Sequence, residues 1–342
     1  MILVTGAAGF IGSNFVHSWL KDSQEGVISY DALTYAGNLD NLSNIKDTNH
    51  NFIKGDIRDE KKVIELLDKF KPRAIINFAA ESHVDRSIES PKVFLETNIM
   101  GTYNLLQCSY IYWNKLTGNS RDNFRFLHIS TDEVFGSLEL LDESFKETDQ
   151  YQPNSPYSAS KASSDHLVRS FYKTYGLPVI TSNCSNNYGP YQYPEKLIPM
   201  TILNLVNRKK VPVYGDGKQI RDWLHVLDHC DALKDILEKS EIGEVYNIGA
   251  ENEMQNIELI MFIGDILEKH YLKNDFISQD FIDYVQDRPG HDKRYSINSS
   301  KVKTILGWEP KISFKKGIEE TVKWYLENPE WVENIYKKKN NQ

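Results

Sequence analysis

The chain begins Met1-Ile2-Leu3-Val4-Thr5-Gly6-Ala7-Ala8-Gly9-Phe10-Ile11-Gly12, and this stretch decides the fold. A short apolar run makes a strand. Gly6, Gly9 and Gly12, at GxxGxxG spacing, make a turn, and a helix follows it through about Leu20. Glycines let a backbone close on a pyrophosphate, and a helix N-terminus supplies N–H donors with a favourable dipole. A second run, Val27-Ile28-Ser29-Tyr30, ends in Asp31, roughly 25 residues after the first glycine. That is close to where an acid meets the adenosine ribose hydroxyls of a bound dinucleotide. No arginine follows Asp31 directly, which favours NAD over NADP.

Working outward, the same alternation continues. Residues 51–57 read as a third strand, with Asp56 placed to meet an adenine edge. Lys61 to Phe70 is an amphipathic helix ended by Pro72, and residues 74–80 are an apolar strand whose small Ala79-Ala80 end lets a flat ligand lie close. Residues 81–87 form a polar loop in which His83 reads as structural. A long helix follows from Val93 to Trp113, carrying Thr97, Asn98 and Gly101, with no role read for Asn98. Phe126-Leu127-His128-Ile129 is the next strand. The expected fold class is α/β: a Rossmann-type doubly wound parallel sheet with a smaller C-terminal α/β substrate domain. The expected division is 1–185 and 186–342, with segments around 221–250 free to return to the first unit. In the second unit, residues 185–194 read as a turn-rich loop and 195–207 as a helix. Residues 212–217 read as a strand with a hairpin turn, 244–248 as a strand, and 257–270 as a helix. Residues 287–291 form a charged turn, and 317–327 a last helix with Trp324 in the core.

Composition narrows the function. The chain has 342 residues and a net charge of −8, and its one basic block, Lys337-Lys338-Lys339, reads as a solvated terminus. Nucleic acid is therefore not an expected partner, because a phosphate backbone needs a basic face. Cys108, Cys184 and Cys230 have no CxxC partner, which points to a reduced, cytoplasmic protein with no disulfide framework and no metal site. The apolar start lacks a basic leader, and no apolar run reaches membrane-spanning length, so no membrane contact is expected.

The chemistry concentrates at the end of the 126–129 strand. Thr131-Asp132-Glu133 sit side by side at a strand's carboxyl end, where open α/β sheets bind ligands. Adjacent carboxylates can act as acid and base if their surroundings push their pKa values apart. Tyr157 and Lys161 are four residues apart, hence on one helical face, and a nearby ammonium favours a phenolate. Tyr157 can then take a proton from an alcohol as hydride leaves. Arg221 and Arg288 have the planar fork that suits a nucleotide diphosphate.

These residues resemble the extended short-chain dehydrogenase/reductase family, in its NAD-dependent nucleotide-sugar epimerase/dehydratase branch. The resemblance runs from Gly6 to about Trp324 and rests on GAAGFIGS, DALTYAGN, AAESHVDRS, STDEVFG, YSASK, NCSNNYGPYQYPEKLIP, RDWLHV and DRPGHD. The Asp132-Glu133 pair points to dehydration rather than 4-epimerisation. Phe135 stands where a tyrosine is usual, and residues 251–287 match loosely. The resemblance implies a 4,6-dehydratase acting on dTDP-glucose. The alternatives are a UDP- or CDP-linked substrate, or a 4-epimerase. It implies Tyr157, Lys161 and Thr131 at carbon 4, Glu133 as base at carbon 5 and Asp132 as acid toward the carbon 6 hydroxyl. For NAD it implies Gly6, Gly9, Phe10, Ile11, Gly12, Asp31, Ala32, Leu33, Thr34, Asp56, Ile57, Phe78, Ala79, Ala80, Glu81, Ser82, Thr97, Tyr157, Lys161 and Asn187. For the nucleotide sugar it implies Ser82, Thr131, Asn186, Lys196, Leu197, Pro212, Val213, Tyr214, Arg221, Asn256, Asp287, Arg288, Pro289, Gly290 and His291. It also implies a homodimer packed through the Val93 and Tyr157 helices.

Overall fold

Alternating apolar strands and amphipathic helices need a sheet covered on both faces, and that is how the computed structural model is built. It describes residues 1–46, 48–272 and 276–340, the side chains of 339 and 340 excepted. The strands are β1 (Ile2–Thr5), β2 (Val27–Asp31), β3 (His50–Lys54), β4 (Ala74–Asn77), β5 (Arg125–Thr131), β6 (Val179–Cys184), β7 (Asn186–Tyr188), β8 (Val211–Tyr214), β9 (Ile220–His225), β10 (Val245–Ile248), β11 (Glu253–Gln255) and β12 (Ile282–Val285). A seven-stranded sheet has the order β10-β6-β5-β4-β1-β2-β3, and all its pairings are parallel. The order reverses between β1 and β4, which opens the crevice where such sheets take ligands.

Two apolar layers cover the sheet. One includes Phe15, Val16, Trp19, Leu224, Leu233 and Ile236; the other includes Leu66, Leu105, Phe126, Val168 and Phe171. A third core, with Ile202, Val213, Trp223, Leu259, Ile263 and Val322, belongs to the C-terminal elements. The chain crosses the expected boundary at 185: β10 pairs with β6 at the sheet edge, and the Val226–Lys239 helix packs on the Phe10–Asp22 helix.

Several elements differ from the sequence reading. The turn at 215–217 is not a hairpin: β8 pairs in parallel with the distant β12, and β9 pairs with β7 and β11. The 185–194 loop contains β7, too short to show a period. β3 and β4 stop at Lys54 and Asn77, so Asp56, Ile57 and Phe78 to Ser82 sit in the turns beyond them. The polar loop winds into a helix at Val84–Glu89, with the His83 ring nitrogen as its cap. The long helix runs from Pro91 to Lys115, but Leu95–Gly101 is wound as π-helix. The helix at Phe314–Glu327 is followed by another, Pro329–Asn340, in which Trp331, Val332 and Ile335 are buried. Trp324 is half-buried, edge-on to Tyr191 and Trp331. The basic tail is not simply solvated: Lys338 donates to the carbonyls of Gly37 and Thr34.

Candidate active site

The glycine turn is shaped by close approach. Gly6 has φ +65°, and a Cβ there would lie 2.7 Å from the Ala79 nitrogen in the turn after β4. A Cβ on Gly12 would collide with the Gly6 carbonyl, so the helix can start this near the turn only with glycine. Asp31 closes the other side. Its Oδ2 accepts from the Ala8 N–H (2.9 Å) and its Oδ1 from the Leu33 N–H (2.7 Å).

One cavity of ≈ 340 Å³ joins this turn to the end of β5, within the usual range for small-molecule sites. Of the residues expected at the cofactor, Gly6, Gly9, Phe10, Ile11, Gly12, Asp31, Ala32, Thr34, Asp56, Ile57, Phe78, Ala79, Ala80, Glu81, Ser82, Thr97, Tyr157, Lys161 and Asn187 line it. Leu33 does not; it turns at φ +55° to let the chain leave β2. Thr131, Asp132, Glu133, Asn186 and Lys196 line the same cavity.

The acid pair is placed by a tight turn. Thr131 caps a short 3₁₀ segment, Asp132–Phe135, its hydroxyl accepting from the Glu133 N–H at 3.3 Å. Phe135 is buried, stacked on Phe145 with ring centroids 5.2 Å apart and edge-on to Tyr151. Asp132 is 2% exposed, and its Oδ2 has no hydrogen-bond partner. Burial, and then the charges of Glu133 and Asp222, push the Asp132 carboxyl well above the usual carboxylate range. Glu133 is also raised by burial, but Arg221 and Lys196 pull it back. The two environments differ in the sense that would suit an acid at Asp132 and a base at Glu133.

Tyr157 and Lys161 project from the Pro156–Tyr175 helix, started by a Ser155–Ser158 capping box with proline in its first turn. Here the structure corrects the electrostatics. Burial and Glu133 hold the Tyr157 phenol well above its ordinary value; Thr131 opposes this, and the Lys161 ammonium donates instead to the Ile129 carbonyl at 2.8 Å. A base near neutral pH at Tyr157 thus needs a further positive charge in the cavity.

The other expected substrate residues, Lys196 apart, are not among those that line the cavity. Arg221 is buried, donating to the carbonyls of Ile220 (2.8 Å) and Asp292 (3.0 Å), with its guanidinium 4.1 Å from the Tyr295 ring centroid. Lys196 donates to the Ser82 carbonyl at 3.0 Å. Arg288 lies over the Tyr214 ring and 3.3 Å from Asp85, and His291 meets Asp287 at 2.6 Å. Asn256 has a buried, unpartnered Oδ1 at the start of its helix. Val213 is buried in the third core, and the half-buried Leu197 packs against it. Pro212 is half-buried, whereas Pro289 and Gly290 are exposed.

Sequence reasoning missed a second layer. Tyr35 and Tyr193 line the cavity, with the Arg86 guanidinium 3.9 Å from the Tyr35 ring. Asn98, on the π-wound stretch, donates to the Glu81 carbonyl and Ser160 hydroxyl and accepts from the Glu81 N–H. It ties the loop after β4 to the Tyr157 helix. Only the unusual polarity of a helix otherwise rich in apolar residues could have signalled it.

The sequence was compared with known proteins. The family model described as GDP-mannose 4,6 dehydratase matches residues 3–321. A dTDP-glucose 4,6-dehydratase from Xanthomonas campestris pv. campestris is 54% identical over 337 residues, 97% of this chain and 95% of that one. Another, from Salmonella typhimurium, is 51% identical over 343 residues, 98% and 95% of the two chains. The chain belongs to the dTDP-glucose 4,6-dehydratase family. Solved members superpose closely. One from Streptomyces venezuelae, with NAD and dTDP bound, gives a TM-score of 0.90 at 43% identity, covering 98% of this chain and 99% of that one. One from Bacillus anthracis, in complex with NAD, gives 0.86 at 46% identity with the same coverage. The Asp132-Glu133 pair, the Tyr157–Lys161 pair and the glycine turn line one cavity of this chain.

Proposed function

We propose that the chain converts dTDP-glucose to dTDP-4-keto-6-deoxyglucose and water, as an NAD-dependent hydro-lyase. The observation that carries this is the split carboxyl pair, Asp132 and Glu133, in the same cavity as Tyr157 and Lys161. The residues fit the cofactor: two glycines leave no room for a Cβ, the small Ala79 and Ala80 follow β4, and Asp31 closes the turn after β2. NAD, when bound, supplies a hydride acceptor at carbon 4, a donor at carbon 6, and the positive charge that Tyr157 needs.

Tyr157 takes the proton of the carbon 4 hydroxyl, with Thr131 favouring the phenolate. The resulting ketone acidifies carbon 5. Glu133 removes that proton, held ionisable by Arg221 and Lys196. Asp132 delivers its proton to the leaving hydroxyl of carbon 6, and its unpartnered Oδ2 suits that donation. Arg221, Arg288, Lys196 and Asn186 would hold the nucleotide diphosphate and sugar.

Two further readings belong here. The helical run from Pro91 exposes Val93, Leu95, Met100 and Tyr103, which supports a homodimer packed through it and the Tyr157 helix. Three buried, unpaired cysteines support a cytoplasmic location.

Incubation of the purified protein with dTDP-glucose, followed by the mass of the product, tests the proposal. Loss of one water with no accumulation of NADH is expected. An unchanged mass, with UDP- and CDP-glucose also unchanged, would sink it.

A further inference from the structure

Residues 287–295 carry Arg288 and His291 and then run beside β9. The Ile220 N–H donates to the Lys293 carbonyl at 2.8 Å, and the Tyr295 N–H donates to the Ile220 carbonyl at 3.1 Å. That pairing brings Asp292 and Tyr295, both buried, against Arg221. The guanidinium donates to the carbonyls of Ile220 (2.8 Å) and Asp292 (3.0 Å), and lies 4.1 Å from the Tyr295 ring centroid. No carboxylate among the described residues forms an ion pair with it. Buried charges are normally paired, so a buried cation held only by neutral groups keeps its charge for an anion. It also faces Glu133, which lines the cavity.

The Asp292 carboxylate accounts for how neutral groups can hold that cation still. Its Oδ2 accepts from the Tyr295 hydroxyl, which burial and Glu133 keep protonated and therefore a donor. Its Oδ1 accepts from Asn154 Nδ2 at 2.6 Å. Asn154 immediately precedes Ser155, the cap of the Pro156–Tyr175 helix. One residue thus fixes the ring against Arg221, supplies a carbonyl to its guanidinium, and ties both to the start of the helix that carries Tyr157. The three bonds come from three separate parts of the chain, so the arrangement leaves no period in the sequence.

Building on the dehydratase reading, in which Arg221 meets the nucleotide diphosphate, we propose that Asp292 is a positioning residue for Arg221, holding its guanidinium through Tyr295 and anchoring both to the Tyr157 helix through Asn154. Without the carboxylate, Tyr295 loses its tether and residues 287–295 lose their bond to Asn154, so the guanidinium is no longer held in one orientation. Deleting a negative charge would by itself strengthen the binding of an anion. Weaker binding therefore reports lost orientation, not lost charge.

The test is a double-mutant cycle read by calorimetric titration of dTDP into the NAD-loaded enzyme, with near-ultraviolet circular dichroism alongside. Asp292→Ala weakens dTDP binding about tenfold in the otherwise unmutated enzyme, and by no more than about twofold in Arg221→Gln. Asp292→Asn keeps an acceptor for Tyr295 and can pair with a turned Asn154 amide, so it restores binding to within about twofold. A folded Asp292→Ala that binds dTDP as the unmutated enzyme does, or that loses the same factor in both backgrounds, overturns the proposal, because a merely structural residue would not depend on Arg221. Asp292→Asn as weak as Asp292→Ala overturns it too. If Asp292→Ala does not fold, Tyr295→Phe decides. It keeps the ring and removes the bond to Asp292, so dTDP binding weakens in the unmutated background and not in Arg221→Gln; equal factors overturn the proposal. An unmutated enzyme that binds dTDP but leaves the mass of dTDP-glucose unchanged would instead count against the dehydratase reading.

Discussion

A carboxylic acid that keeps its proton beside a carboxylate that has lost one can pull and push on the same sugar. The structure separates the two by environment: Asp132 lies deep beside Glu133 and Asp222, while Arg221 and Lys196 face Glu133. Asp132→Asn and Glu133→Gln should each slow product formation by about 10²–10⁴-fold, and should still bind NAD. Because Tyr157 works first, both variants should build up NADH absorbance on mixing with substrate. Loss of NAD binding in either would show that the pair is structural. Arg221 gives a prediction with a sign. Removing its charge in Arg221→Gln lets burial raise Glu133 further, so the base protonates at higher pH and the acidic limb of kcat moves up. Arg221→Lys keeps the charge, so the limb stays while KM rises. Equal limbs in all three enzymes would contradict the role given to Arg221.

Elements rather than single side chains put these groups in register. Gly136 ends the acid turn at φ +91°, and a Cβ there would run into the Gln152 carbonyl. Gly136→Ala should cost about 1–3 kcal/mol in chemical denaturation and lower kcat by displacing Asp132 and Glu133. Unchanged stability would show that the turn yields easily. The last helix straps the loop after Asp31: Trp331 Nε1 donates to Asn41 at 2.8 Å, Asn334 to Asp40 at 3.1 Å, and Lys338 to Gly37. Each such bond is worth about 0.5–1.5 kcal/mol, so the Asn334→Ala, Lys338→Ala double variant should retain less NAD through gel filtration. Full retention would separate the strap from the cofactor. The nucleotide half of this was legible in the sequence, because Gly6 to Gly12 and Asp31 obey local rules of strand, turn and helix. The acid pair was legible as chemistry, since three polar residues closing an apolar strand are costly without a use. The β8–β12 pairing, the π-wound stretch and the strap were not, because each depends on residues far apart in the chain and leaves no period. The electrostatic role of Lys161 was misjudged because helical spacing shows which residues share a face, not where an ammonium finds its acceptor.

At the scale of the molecule, buried neutral imidazoles set the response to acid. His229 donates to or accepts from Asn187 at 2.9 Å and is fully buried, which lowers its pKa from 6.5 to about 3. Between those values the unfolded chain binds a proton that the folded chain refuses, so stability is whole above pH 6.5 and is lost as pH falls toward 3. The stake is on the order of 5 kcal/mol, and His229→Gln should flatten stability against pH over that window. An unchanged slope would place the acid sensitivity elsewhere. The exposed apolar face of the 91–115 run predicts that Met100→Glu with Tyr103→Glu converts the proposed dimer to monomer in light scattering; an unchanged mass would move the interface. The central claim concerns one hydrogen atom. dTDP-glucose carrying deuterium at carbon 4 should give a keto sugar with that deuterium at carbon 6, because one cavity holds the groups for oxidation, elimination and reduction together. Product whose carbon 6 carries no deuterium would contradict the account.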